Sequence, residues 1–461
     1  MLAVAAVARR FTMIAALLLV SGACSGPKAP DYQSPPIIIF DIDTLRADHL
    51  GCYGYERDTS PNIDAFAEES ALFTWAFAQG PNTPPSQASI LTSLYPSSHG
   101  RIVNKDTVAE EAETLAETLS TAGYLTAAFV DGGLMAAGFG LEQGFDLYDD
   151  HGGGIEKIWP KVSAWIDRTL KKTRESASPF LLLIHCYDVH SPYEISPWRF
   201  RDHFIEELSK MPPTSFSSRM SEVMANTWKR RNETPPPQLG PVKLEYAKAM
   251  YDSGIRHVDA RFGAMVKTLK DNGLFDQSII IVISDHGDTF QEHGSLFHEQ
   301  IYSEIARIPL IVRFPGASFS GRFDPVVESI DLMPTLLDFA SVPVPEMAQG
   351  RSLLPILNGG SWTSKVAVTE SPYRGRRLAG ASEKHRLILT RKTGVSELFA
   401  YRKDPLEQKD LSRIHQDEDQ DLREALDLWQ KRVAATRWET PEAEPVDDRT
   451  HRQLKTLGYI D

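Results

Sequence analysis

Ile37-Ile38-Ile39-Phe40-Asp41-Ile42-Asp43-Thr44 is the stretch from which the fold can be read. It is apolar except for Asp41 and ends on Asp43. That is the pattern of a strand buried on both faces of a parallel sheet, with a polar group delivered at its carboxyl end. The pattern recurs. Residues 180–184 form an apolar run ending near His185, and residues 278–283 form another ending in Ser284-Asp285-His286. Residues 125–130 read as a further strand. Helices are expected over 62–70, 84–94, 108–122 and 244–271. In the last of these Met250, Val258, Phe262, Val266 and Leu269 recur at helical spacing, and Gly123 is a stop signal for the third. Strands alternating with helices predict an α/β fold, a mostly parallel central sheet covered by helices on both sides. From about residue 366 the texture changes. Short strands over 366–369, 386–390 and 397–401 precede an amphipathic helix over 421–434, which reads as a small α+β subdomain. The charged, Pro-rich stretch 200–243 reads as an insertion or lid, and the acidic stretch 439–448 as a solvated tail or loop.

The chain has 461 residues and a formal charge of -13, which argues against a nucleic-acid surface. An anion-binding site in such a chain requires a local positive field. Arg9 and Arg10 form a basic start, and residues 11–20 form an apolar run too short for a comfortable membrane span. Ser21-Gly22-Ala23-Cys24 fits a small-residue cleavage site and resembles a bacterial lipoprotein signal. Export to the periplasm or outer envelope is expected, with the mature chain lipid-anchored at Cys24. Residues 26–36, rich in Pro, read as a tether. Cys52 and Cys186 have no metal-ligand spacing and stand either as free thiols or as a pair.

In an open α/β sheet, ligands collect beyond the carboxyl ends of the strands. Asp43, His185, His190, Asp285 and His286 all fall at or near such ends. Two carboxylates and an imidazole suit one divalent cation with open positions. A single Asp after a strand also serves as a helix cap, but Asp285-His286-Gly287-Asp288 is not explained so simply. Thr83-Pro84 reads as the start of a helix, where free N–H groups and the dipole favour an anion. A metal beside Thr83 would turn its hydroxyl into a nucleophile, and the plain alternative is that Thr83 only caps the helix.

Several motifs in order carry a specific resemblance. Residues 42–54, beginning Ile42-Asp43-Thr44-Leu45-Arg46-Ala47-Asp48, resemble the opening motif of bacterial sulfatases. Thr83-Pro84-Pro85-Ser86-Gln87-Ala88-Ser89-Ile90-Leu91-Thr92 is similar to their nucleophile helix. Ser284-Asp285-His286-Gly287-Asp288, with Glu292-His293-Gly294, His298, Tyr302 and Arg307-Ile308-Pro309-Leu310, resembles their second metal motif. Ile330-Asp331-Leu332-Met333-Pro334-Thr335, Gly350-Arg351-Ser352 and Asp404-Pro405-Leu406-Glu407 match later signatures. The resemblance to the sulfatase family of the alkaline phosphatase superfamily runs from about residue 37 to the C-terminus. It implies an alkaline phosphatase-like fold divided into a signal peptide (1–23), a tether (24–36), a catalytic domain (37–360) and a C-terminal subdomain with tail (361–461).

The resemblance further implies that Asp43, Asp285 and His286, with Thr83, hold the metal (Ca2+, Mn2+, Mg2+ or Zn2+). It makes Thr83 the nucleophile and His190 a group that binds the anion or assists leaving. It places His298 where many sulfatases have a Lys that helps the leaving oxygen, and Asn104 where phosphodiesterase branches bind a non-bridging oxygen. The chain also departs from the pattern. Classical sulfatases have Cys or Ser at the nucleophile position, matured to formylglycine, and Arg four residues later. Thr83 and Gln87 stand there, so no formylglycine is expected. Thr44 replaces a frequent metal carboxylate. Asp131 and Gly133 stand where a Lys and a His usually grip sulfate, and a carboxylate there repels the anion unless it binds something else or points away. The expected activity is metal-dependent hydrolysis of a sulfate, phosphate (di)ester or phosphonate ester, small or polymeric, by a Thr-nucleophile branch similar to phosphonate monoester hydrolases. An envelope phosphoryl-headgroup transferase and a non-catalytic binding protein on the same scaffold are the alternatives.

Overall fold

The computed structural model of the chain describes residues 34–176, 178–193, 237–298, 300–363, 365–436, 446–457 and 459, with a few isolated positions between. The expected signal peptide, Cys24, most of the tether and most of the 200–243 insertion lie outside the described residues.

The central sheet has eight strands in the order β4-β3-β5-β1-β6-β7-β2-β8. They are β1 (Ile37–Ile42), β2 (Ala71–Phe77), β3 (Leu125–Phe129), β4 (Leu147–Asp149), β5 (Phe180–Cys186), β6 (Ile279–Ile283), β7 (Arg307–Arg313) and β8 (Gly321–Glu328). All pairs are parallel except those of β7, which runs antiparallel to both β6 and β2. This is the mostly parallel α/β sheet that the sequence predicts. β1 sits between β5 and β6, which explains why its residues are apolar on both faces.

Alternate β1 side chains serve two helical layers. Ile38, Phe40 and Ile42 pack with helices α1 (Pro61–Glu68), α4 (Ile155–Ser176) and α5 (Pro241–Asp271). Ile37 and Ile39 pack with α2 (Thr83–Thr92), α3 (Leu115–Thr121) and α6 (Leu332–Phe339). Each fully buried Ile or Phe contributes about 1.5–3 kcal/mol by leaving water. α1 and α5 are further joined by Asp259, whose carboxylate accepts the backbone N–H groups of Asn62 and Ile63 at 2.9 and 2.8 Å.

The expected helix over 108–122 is shorter than read. Its first turns do not form because the Val108 N–H pairs with Phe139 O (3.0 Å), and α3 starts at a capping box of Thr114 and Glu117. Strand β5 runs on to Cys186, so His185 lies inside it and not past its end. Strands β2, β4, β7 and β8 have no counterpart in the sequence reading. Cys52 and Cys186 are both free.

The second sheet is antiparallel, β12-β11-β10-β9, with β9 (Ala367–Ser371), β10 (Arg377–Ala381), β11 (Arg386–Thr390) and β12 (Val395–Phe399). Helix α7 (Gln416–Val433) packs Leu422, Leu426 and Trp429 onto it. A final helix, α8 (Asp448–Thr456), is capped by Asp447, and most of the acidic stretch 439–448 read as a solvated tail or loop lies outside the described residues.

A buried ion pair docks this sheet onto the central one. Arg386 and Glu407, both almost fully buried, meet at 3.0 Å, and Glu407 also accepts Ser303 N–H (2.9 Å) and Oγ–H (2.8 Å) just before β7. Removing one partner strands the other charge. Glu407→Ala is therefore expected to lower the unfolding free energy by about 3–5 kcal/mol in denaturant titration, and a wild-type midpoint would show that the pair does not hold the two sheets together.

Candidate active site

The strand order sets the site. In β3-β5-β1-β6 the carboxyl ends lie side by side, and the chain leaving them contributes Asp131, His190, Asp43 and Asp285-His286 respectively. The parallel register of β1 with β6 pairs Phe40 with Val282 and Asp41 with Ile283, which brings the residues that follow each strand together.

Asp43, Asp285 and His286 are fully buried, and one ligand atom from each lies within 4.8 Å of the others. Asp285 Oδ1 accepts the N–H groups of Thr44 (3.2 Å) and His286 (2.9 Å), which fixes the carboxylate and leaves Oδ2 without a hydrogen-bond partner. Asp43 Oδ1 is likewise unpartnered. His286 Nδ1 lies 2.8 Å from Gly287 O, and a carbonyl only accepts, so Nδ1 carries the proton. His286 Nε2 is then a bare lone pair, also unpartnered. Burial and the neighbouring Asp285 push the Asp43 pKa well above the usual carboxylate range. Three orphaned acceptors converging in a buried pocket, two of them on carboxylates, fit one divalent cation.

The backbone around them is shaped for this convergence. Thr44 has a positive φ of 58°, unfavourable for a β-branched residue. Tyr251 stabilises that turn by donating to Thr44 O (2.7 Å) and accepting from Arg46 N (2.8 Å). Thr44 Oγ1 donates to Asp43 O and so is committed to the backbone. The buried Arg46 binds Glu292 Oε1 (2.7 Å), Asp288 O (3.0 Å) and Asp48 Oδ2 (2.8 Å), clamping the loop after β1 to the loop after β6. Gly287 is required because a Cβ there would lie 2.1 Å from Glu304 O.

Thr83 arrives from β2. It is the first residue of α2, with Asn82 as the cap position, one step from the cap role read in the sequence. Its Oγ1 donates to Asp43 Oδ2 at 3.0 Å. Gln87, one turn on, donates to Asp41 Oδ2 at 2.6 Å and so addresses the strand and not Thr83.

His298 lies between His286 and His190, with ring centroids 4.7 and 5.2 Å away, and its Nδ1 is 3.8 Å from Asp288 Oδ1. His190 is buried, and burial followed by the nearby His298 lowers its pKa to about 3, so the ring is neutral. His185 Nε2 is 3.6 Å from Asp43 Oδ2, and burial lowers its pKa to about 4. Asn104 is in a turn and half-buried. Its amide oxygen has no hydrogen-bond partner, and none of the described hydrogen bonds of Thr83, Asp43 or Asp285 goes to it.

Asp131 points away from the site. Its Oδ1 accepts Gly154 N–H at 2.9 Å and Oδ2 accepts Tyr187 N–H at 3.1 Å. Burial nevertheless raises its pKa to about 6. One residue of the cluster has no sequence signal at all. Tyr459 places its hydroxyl 3.3 Å from Thr83 Oγ1 and 2.9 Å from His190 Nε2. A lone Tyr after a polar stretch gives no periodicity or motif by which to find it.

The sulfatase family model matches residues 35–342, and a model described as N-sulphoglucosamine sulphohydrolase, C-terminal, matches residues 291–434. An arylsulfatase of Clostridium perfringens is 26% identical over 442 residues, covering 81% of this chain and 89% of its own. A structure solved in complex with its substrate D-glucosamine-2-N,6-O-disulfate superposes with a TM-score of 0.71 at 21% identity, covering 87% of this chain and 99% of its own. The phosphonate monoester hydrolase of Silicibacter pomeroyi superposes with a TM-score of 0.66 at 20% identity, covering 88% and 96%. With the family model spanning more than half of the sequence, the chain belongs to the sulfatase family of alkaline phosphatase-like ester hydrolases.

Proposed function

We propose that this sulfatase-family enzyme is a metal-dependent hydrolase that attacks a tetrahedral sulfuryl or phosphoryl ester with Thr83. The observation that carries the reading is the 3.0 Å contact of Thr83 Oγ1 with Asp43 Oδ2, beside three unpartnered ligand atoms and at the N-terminus of α2. Asp43, Asp285 and His286 would hold one divalent cation. When bound, it supplies positive charge that favours the Thr83 alkoxide and offsets charge on the ester oxygens.

Thr83 passes its proton to Asp43 Oδ2, which accepts it at 3.0 Å, Oγ1 forms a bond to the sulfur or phosphorus, and the bond to the leaving oxygen breaks. The leaving oxygen needs a proton. His190 is held neutral by burial and is a poor acid, so His298 is assigned this step, with Asp288 as its orienting carboxylate. Water then cleaves the Thr83 ester and restores the hydroxyl. Thr has no route to formylglycine, and a phosphorylated Thr is a more natural intermediate than a sulfated one. Phosphodiesters and phosphonate esters are therefore placed ahead of sulfate esters, a preference that the likeness to a phosphonate monoester hydrolase supports. The sulfatases among the relatives keep sulfate esters in the panel. The leader of residues 1–24 adds a proposed location, the cell envelope with a lipid on Cys24, for which the intact mass of envelope-purified protein is the check.

Three outcomes test the chemistry. Thr83→Ala is expected to lose roughly 10³-fold or more in kcat on the best of four aryl esters (sulfate, phosphate, phosphodiester, phosphonate), while Thr83→Ser retains part. Near wild-type turnover by a folded Thr83→Ala would remove the nucleophile assignment. Chelator is expected to abolish activity, and a single divalent ion per chain to restore it. The same ion at about a hundred times its Kd should raise the unfolding free energy by about 2.7 kcal/mol, a gain that Asp285→Asn should largely lose. Chelator-insensitive activity with no bound ion would reject the metal.

A further inference from the structure

Chain ends usually fray unless something ties them down. Here the segment leading to Tyr459 is tied at every turn. Asp447 Oδ1 caps α8 by accepting Thr450 N–H at 2.7 Å, and Arg449 bonds Asp150 at 2.7 Å. Gln453 accepts from Gly133 N (3.1 Å) and donates to Asp131 O (3.3 Å). Leu454 packs with Leu134, Ala136 and Phe139, and Tyr459 N–H returns to Leu454 O at 2.8 Å. The surface that receives the segment is the loop after β3, and it is shaped for it. Gly132 and Gly133 have φ of +72° and +59°, and a Cβ on the first would lie 2.3 Å from Gln453 Oε1 and on the second 3.0 Å from Leu457 Cδ1. At Gly132 a Cβ would also lie 2.8 Å from the backbone oxygen of Asp150, so that position needs a glycine, whereas at Gly133 the flexible end of Leu457 would have to shift.

Docking delivers one functional group. His190 Nδ1 is 2.6 Å from Ser191 O, so in a neutral ring Nδ1 holds the proton and Nε2 is a bare acceptor. Tyr459 O–H, 2.9 Å away, must then be the donor to Nε2. Its oxygen keeps a lone pair facing Thr83 Oγ1 at 3.3 Å, so the single Thr83 proton is shared between that oxygen and Asp43 Oδ2 at 3.0 Å. The result is a row of polar contacts, Asp43, Thr83, Tyr459, His190, in which Tyr459 links Thr83 to His190.

We propose that Tyr459, supplied by the C-terminal segment 376 residues after Thr83, is a further catalytic residue, whose hydroxyl holds the attacking oxygen of Thr83 and the ring of His190 in working orientation. The inference rests on Thr83 being the nucleophile. It makes the docked segment part of the active site, not a lid over it.

Tyr459→Phe is the test, because it removes the hydroxyl and keeps the ring that packs near Leu454. With the aryl ester that the wild-type enzyme cleaves fastest, kcat is expected to fall about 10- to 100-fold with KM changed less than about threefold and the melting temperature unchanged. In a His190→Ala background the same substitution is expected to cost distinctly less, since part of the contact is already gone. Leu454→Ala, which loosens docking, should mimic the loss, and Lys455→Ala on the exposed side of α8 should not. Without substrate, the 15N signal of His190 Nε2 is expected to shift in Tyr459→Phe. A wild-type kcat in Tyr459→Phe overturns the proposal, and so does a raised kcat, which would mark Tyr459 as an obstruction. If Thr83→Ala is inactive and Tyr459→Phe fully active, only this inference fails; if Thr83→Ala is active, the nucleophile assignment beneath it fails.

Discussion

The parallel pairing of β1 with β6 brings Asp43 and Asp285 into one buried pocket, and most of the site follows from that contact. Two carboxylates held away from water repel each other and lose hydration. A carboxylate buried without compensation costs several kcal/mol, so such a pair persists only where backbone donors, protons or a cation offset it. Here the donors are few. Asp285 takes two N–H groups on one oxygen, Asp43 takes the Thr83 hydroxyl, and the remaining oxygens face the pocket. The same imbalance that strains the fold makes it receptive to a divalent ion.

Stability elsewhere compensates for this local cost. The apolar runs of β1, β5 and β6 are buried on both faces, and the Arg46 clamp holds the two loops that carry the carboxylates. Tyr251 and Ser284 fix the left-handed turn at Thr44, with Ser284 Oγ accepting Leu45 N–H at 2.9 Å. These residues do no chemistry themselves. They convert sequence-distant motifs into one rigid geometry.

The departures from the family pattern also make sense together. Thr44 turns its hydroxyl to the backbone, Gln87 serves Asp41, and Asp131 caps backbone N–H groups below the site. None presents a new charge to an incoming anion. The space beside Gly132 and Gly133 is taken by the C-terminal segment, which brings a neutral hydroxyl in place of a cation. On the proposed mechanism, anion recognition falls to His298, the α2 N-terminus and the proposed metal, since His190 Nε2 and the Tyr459 O–H are spent on each other.

What the sequence by itself determined was local and periodic. The continuous apolar runs announced buried parallel strands, and Asp43, Thr83, Asp285 and His286 were legible because each stands at a strand or helix end within a recognisable motif. The antiparallel β7 and the strands β2, β8 and β10 were not legible, since their short apolar stretches carry no period that separates strand from loop. The direction of a side chain was equally hidden. Asp131 looked like a repelling charge until its three backbone donors were seen, and Asn104 remains outside the hydrogen bonds of the cluster. Tyr459 depended on tertiary structure alone. Nothing local marks it, and it joins the site only because α8 docks on a glycine-cleared loop that is more than 300 residues away along the chain. Long-range packing decides such contacts, because their free energy comes from surfaces that meet only once the sheet has assembled.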